Sequence, residues 1–241
     1  MKEVPLARLD VQRPPRRTAL GRQLAEIQLP ARTAALLREM GPAPLIPGVS
    51  RVAAGEAATA AVGAALRTLV GHLAAGSTDP AGYRSAAAAL AGLGPGLTPT
   101  GDDVLVALVA TSRLLSAGPT GAAVLLPRAA ADELAAAVAG LPSGVTTEIA
   151  QHLLAESVAG RYPEPLAALV AALGDSRADR GALNTLVERL VATGAHSGAD
   201  WLAGVVALAS ACLGAHGHRE SACRTAPVAA ARSRSAALRR D

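Results

Sequence analysis

Residues 92–103 read Gly92-Leu93-Gly94-Pro95-Gly96-Leu97-Thr98-Pro99-Thr100-Gly101-Asp102-Asp103 and run straight into the apolar stretch 104–110. Four glycines and two prolines in a dozen positions impose unusual backbone angles. Thr98 and Thr100 supply hydroxyls of the kind that begin helices. The segment therefore reads as a loop that delivers a buried helix, and it makes helix the dominant element of the fold. A glycine-rich loop at a helix start can present N–H groups and the positive end of the helix dipole to an anion. No lysine follows the glycines, so it is not a Walker loop. Asp102 and Asp103 leave two readings open. Either a carboxylate caps the helix and the loop merely turns, or an aspartate holds Mg²⁺ that bridges to a phosphate on Gly94, Gly96, Thr98, Thr100 and Gly101.

Moving outward, the same plan recurs at Ser197-Gly198-Ala199-Asp200, where Thr100 matches Ser197, Gly101 matches Gly198, Asp103 matches Asp200 and Leu105 matches Leu202, at a constant offset of 97. Two helices that begin alike are expected to present their starts to one pocket, with Asp103 and Asp200 in equivalent places. His196 precedes the second start and is a candidate general acid/base. Hydrogen bonding of its ring to a loop carbonyl is the plain alternative. Ser143-Gly144-Val145-Thr146-Thr147-Glu148 is a third hydroxyl-rich start. Its threonines either cap a helix or orient a ligand oxygen, and capping is the preferred reading. His72, His152, His216 and His218 lack such company, and Trp201 reads as core. No serine–histidine–acid set is recognisable from spacing.

From about Gly55 alanine and leucine dominate, and glycine- and proline-rich breaks cut the chain into helix-length pieces. Leu183, Leu186, Val187, Leu190 and Val191 recur at helical spacing, with Asn184, Glu188 and Arg189 on the other side. The expected fold is mainly α: a compact Ala/Leu-rich helical domain over residues 51–214 that carries both glycine-led starts. Residues 1–50, broken by seven prolines, are expected to be an irregular Pro/Arg-rich opening segment. That segment has room for one short helix between Ala31 and Met40 and for a small β element near the N-terminus. Residues 215–241 read as a disordered basic tail.

The net charge of +4 suggests nucleic acid, yet its distribution argues against it. Residues 39–214 hold nine arginines and fourteen carboxylates, a charge of −5, so the expected folded body is acidic and the excess of basic residues lies at the two ends. Aromatic residues are 1% and phenylalanine is absent, which leaves no stacking platforms. Membrane insertion is not expected either, because the apolar stretch 201–213 is short of a span. With no signal-like run at the start and only Cys212 and Cys223, a cytoplasmic setting is expected.

Residues 92–103, Thr146-Thr147 with Gly160 downstream, and His196-Ser197-Gly198 with Asp200 and Gly204 resemble a bacterial family of formerly unknown function. That family includes the small subunit of oxamate carbamoyltransferase, an enzyme of allantoin catabolism. The likeness spans roughly residues 85–213, with Thr100 standing where a serine is usual. The resemblance implies one subunit of a complex that exchanges oxalurate and phosphate with oxamate and carbamoyl phosphate. Its partners would be an acyl-CoA-synthetase-like subunit and a second subunit. The expected site comprises His196, Asp103 and Asp200 as catalytic residues and Gly94, Gly96, Thr98, Thr100, Gly101, Asp102, Thr146, Thr147, Ser197 and Gly198 as ligand-binding residues. Its ligand is a small phosphorylated or dicarboxylate-like anion. Asp103 and Asp200 are also the one candidate pair for a metal, Mg²⁺. A non-catalytic scaffolding or ligand-sensing subunit and a metal-dependent hydrolase are the competing readings.

Overall fold

A computed structural model describes residues 5–9, 11, 15–40, 57–118 and 124–225. Among these are ten helices, eight of which surround two that are almost wholly buried. The first of the two, α5 (Thr100–Leu115), hides every residue except Arg113. The second, α10 (Ser197–Thr225), is continuously buried from Gly198 to Ser210. A helix that is apolar on all sides has no face to offer water, so it becomes the centre of the fold. The two pack on each other more extensively than any other pair of elements. Small residues let them approach: a Cβ on Gly204 of α10 would lie 2.8 Å from Ala107 Cβ and 3.0 Å from the Val104 carbonyl oxygen of α5.

The amphipathic helices form the outer layer. α2 (Ala31–Glu39), α3 (Ala57–Ala75) and α9 (Arg180–Val191) each pack against α10, and α2 and α3 also pack on each other. α6 (Arg128–Ala139), α7 (Glu148–Val158) and α8 (Glu164–Gly174) pack on α5, and α4 (Pro80–Leu90) bridges α3, α5 and α6. The small β element exists: β1 (Leu6–Arg8) pairs antiparallel with β2 (Arg161–Pro163), Ala7 opposite Tyr162. The expected mainly α fold is thus present, with its minor sheet near the N-terminus.

Three expectations need correction. The proline-rich opening holds two helices rather than one. α2 occupies the anticipated place, but α1 (Arg17–Glu26) also forms, burying Ala19, Leu20, Gln23 and Leu24, with the Gln23 side-chain amide donating to the Asp175 carbonyl at 2.7 Å. The basic end is helical as far as Thr225, within α10, and residues 226–241 lie outside the described residues. The apolar stretch at 201–213 belongs to a longer run, Ser197–His216, that is long and apolar enough to cross a membrane; 78% of its most apolar window is buried against the other helices, as in a core helix. His216, expected to lie in the tail, sits on this helix with its ring nitrogen 2.9 Å from the Leu125 carbonyl oxygen.

Candidate functional site

The sequence repeat between the two helix starts is a structural repeat that reaches further back than the motif. α4 and α9, the helices before each start, are both N-capped by aspartates, Asp79 accepting from Ala81 N–H and Asp179 from Ala182 N–H. Both are followed by a left-handed glycine, Gly92 at φ 71° and Gly194 at φ 65°, where a residue without a Cβ reverses the chain. The motif glycines then turn inward. Gly101 N–H donates to the Leu93 carbonyl at 2.8 Å and Gly198 N–H to the Thr193 carbonyl at 3.1 Å. A Cβ on either would collide with a carbonyl oxygen in the last turn of the preceding helix, Leu90 for Gly101 and Leu190 for Gly198. Asp103 N–H bonds the Pro99 carbonyl and Asp200 N–H the His196 carbonyl, at 3.1 and 3.0 Å. The offset is 100 across the preceding helices and 97 across the starts, so the first loop is three residues longer. Asp103 and Asp200 occupy equivalent places.

Their side chains meet different surroundings. Asp200, 1% exposed, receives a two-pronged ion pair from Arg32 of α2, Nε to Oδ1 at 2.7 Å and Nη2 to Oδ2 at 3.0 Å; Nη2 also donates to Thr100 Oγ1 at 2.9 Å. This planar fork on a carboxylate is the strongest polar geometry at the site. α2 is held there by Thr33, whose hydroxyl donates to the Ala199 carbonyl at 2.8 Å. Asp103 is equally buried, yet neither of its oxygens has a hydrogen-bond partner. Burial pushes its carboxyl up to about 8, the negative charges of Asp200 and Asp102 add to this, and the nearby Ser197 and Thr98 hydroxyls pull it back. Those hydroxyls bond each other at 2.9 Å and make no well-formed bond to Asp103. At neutral pH the group is held predominantly as a neutral carboxylic acid, because the buried charged form lacks adequate solvation.

Asp102 serves the loop. Its oxygens accept from Gly92 N–H at 3.1 and 3.2 Å and from Thr146 Oγ1 at 2.5 Å, lacing the beginning of the loop to the segment before α7. Burial raises its carboxyl, and those bonds counter the rise. Thr147 caps α7, accepting from Ala150 N–H at 3.1 Å and donating to the Leu97 carbonyl at 2.5 Å. The capping reading of the third start is therefore present in the structure, with loop anchoring added to it. Gly94, at φ 114°, lets the loop fold back within reach of Thr100; Gly96, at φ 103°, faces open space.

Several expected roles change. The N–H groups of the first turn of α5 do not form an open nest, since Gly101 donates to Leu93, and Asp102 and Asp103 both donate to Pro99. Any ligand here would meet side chains more than backbone. His196 is exposed, and only its backbone carbonyl takes part in the cluster. The donor set does not suit a metal shared by Asp103 and Asp200, because both Asp200 oxygens are engaged by Arg32. Among the described residues no three His, Cys, Asp or Glu side chains gather as a metal site. Thr98, Thr100, Ser197, Asp103 and Asp200 do come together, whereas Thr146, Thr147 and Asp102 stand behind them as supports. Arg32 is the residue that sequence reasoning missed. It lies 168 positions from its partner, and a lone arginine in a short helix gives no local sign of such a contact.

Two clefts lie elsewhere, one of about 480 Å³ between Gln28, Pro30 and α9, and one of about 470 Å³ between Leu9, the end of α5 and α6. The site at the helix starts is a closed cluster in this structure.

No curated protein and no solved structure matches the chain. The family model described as oxamate carbamoyltransferase subunit AllH matches residues 90–209, from the end of α4 into α10, and so takes in both loops and both helix starts. The chain belongs to that family.

Proposed function

We propose that this chain is the subunit of an oxamate-type carbamoyltransferase complex that binds a small anionic ligand bearing a carbamoyl or oxamate-like group between the starts of α5 and α10. The observation that carries the reading is Asp103: a buried carboxyl with no well-formed hydrogen bond, at the meeting point of two equivalent helix starts, inside the segment that the family model matches. A buried polar group left unsatisfied costs stability, of the order of 1–3 kcal/mol, and such groups persist where function requires them.

In the reaction the resemblance implies, a phosphate oxygen attacks the terminal carbamoyl carbon of oxalurate, the C–O bond forms, and the C–N bond to the oxamate nitrogen breaks. The departing nitrogen needs a proton. Asp103, held as an acid, gives it and regains one from the attacking hydrogen phosphate, so the proton count closes. Arg32, fixed by Asp200 and touching Thr100, supplies positive charge for the ligand's anionic end while Asp200 keeps the cluster from becoming cationic. In this reading proton transfer falls to the buried Asp103 and not to the exposed His196.

A second reading, a scaffolding subunit whose loop is only a structural turn, is favoured by Asp102, whose carboxylate is used up in lacing that loop to Gly92 and Thr146. Turnover in the complex reconstituted with its partner subunits separates the two. Asp103→Asn is expected to lower it by about 10²- to 10⁴-fold, the usual contribution of one positioned proton donor, while His196→Ala stays near wild type. Wild-type turnover in Asp103→Asn would give the scaffold reading the case.

A further inference from the structure

We infer that the Asp103 carboxyl is the receptor for a primary carboxamide, the –C(=O)NH₂ end of the ligand, and that this group occupies on Asp103 the place that Arg32 occupies on Asp200. The inference rests on the proposed site between the helix starts and goes further by naming the ligand group recognised there.

Three observations lead to it. The two aspartates are equivalent by backbone geometry, from the cap of the preceding helix to the N–H bond of the aspartate itself. On Asp200 that geometry receives a flat, two-pronged N–H donor from Arg32. On Asp103 both oxygens are buried and make no well-formed hydrogen bond, with only the Ser197 and Thr98 hydroxyls beside them, so the equivalent position lacks a two-pronged donor. A carboxamide shares part of that outline: it is planar, with an N–H₂ at one corner and a carbonyl oxygen at the other.

The protonation of Asp103 sharpens the match. A neutral carboxyl offers one O–H donor and one carbonyl acceptor side by side, and a carboxamide offers the complementary acceptor and donor, so the two close a ring of two hydrogen bonds. A ligand with a carboxylate in that position has acceptors only. It would leave the Asp103 carbonyl oxygen unsatisfied and bring a negative charge toward Asp200 and Asp102. For access, the hydroxyl bond between Thr98 and Ser197 must part, and the hydroxyls become free to meet the rest of the ligand.

The test is titration calorimetry of the full chain with oxamate, oxalate, N,N-dimethyloxamate and inorganic phosphate, run on wild type, Asp103→Leu and Asp103→Asn. Oxamate is expected to bind at least about ten-fold more tightly than oxalate or the dimethyl amide, the equivalent of one well-made hydrogen bond to a buried group. Asp103→Leu fills the space without polarity; it is expected to unfold no earlier than wild type on heating and to lose the preference. Asp103→Asn presents the same donor and acceptor and is expected to keep it. Oxalate binding as tightly as oxamate, or an unchanged preference in Asp103→Leu, would overturn the carboxamide assignment while leaving the site in place. Absence of binding by all four compounds would instead overturn the site, and the assignment with it.

Discussion

Asp103 gathers most of what is unusual in this chain at the scale of one residue. Its carboxyl stands at about 8 in the folded protein against an ordinary 3.8, chiefly because burial disfavours its charge. The sign of the consequence follows from proton binding. Between about pH 4 and pH 8 the unfolded chain has released this proton and the folded chain still holds it, so stability falls as pH rises through that window and levels off above it. Asp103→Asn removes the group that titrates. Its thermal unfolding midpoint, measured against wild type, is expected to rise progressively from pH 4 to pH 8, by an amount corresponding to about 5 kcal/mol at the upper end, from about 1.4 kcal/mol for each pH unit of that window; a difference independent of pH would contradict the buried-acid description. The partner residue behaves oppositely. Asp200 is satisfied by Arg32, and Arg32→Ala is expected to cost about 3 kcal/mol in denaturant unfolding, the lower end for breaking a buried pair, because about a third of the Arg32 side chain remains in water.

At the scale of elements the motif glycines explain why two helix starts can be alike. Gly101 and Gly198 are pressed against the last turns of α4 and α9, where a methyl group has no room. Gly101→Ala and Gly198→Ala are each expected to destabilise by about 3 kcal/mol or more through overpacking against backbone. Gly71→Ala, within α3 and facing open space, is expected to stabilise by up to about 1 kcal/mol. Thermal unfolding of the three variants checks the contrast. The repeat was legible in the sequence because Thr100-Gly101-Asp102-Asp103 and Ser197-Gly198-Ala199-Asp200 share spacing, and the helices after them because their apolar runs are unbroken. α1 was not legible. Seven prolines in the first fifty residues signal interruption, yet Pro15 and Pro30 flank the helix instead of entering it, and its buried face is only Leu20 and Leu24 with Ala19 and Gln23. Arg32 was hidden for a different reason: its partner is fixed by tertiary packing of α2 on α10, which no local pattern encodes.

At the scale of the whole molecule, two buried helices meet through small residues, and the outer helices hold their starts in register. The family match begins at residue 90, so it takes in Asp103 and Asp200 but not the arginine from α2 that completes Asp200. The fold therefore brings a contribution from the opening segment to a site whose remainder lies in the family region. The carboxyl left incomplete, Asp103, is where this account places the ligand. Crystallography of the full chain with oxamate tests that claim most directly. The account predicts the ligand between the starts of α5 and α10, its carboxamide paired with Asp103 and the hydroxyls of Thr98 and Ser197 separated. Oxamate found only in the clefts beside α9 or α6, with Asp103 still enclosed and unpartnered, would contradict it.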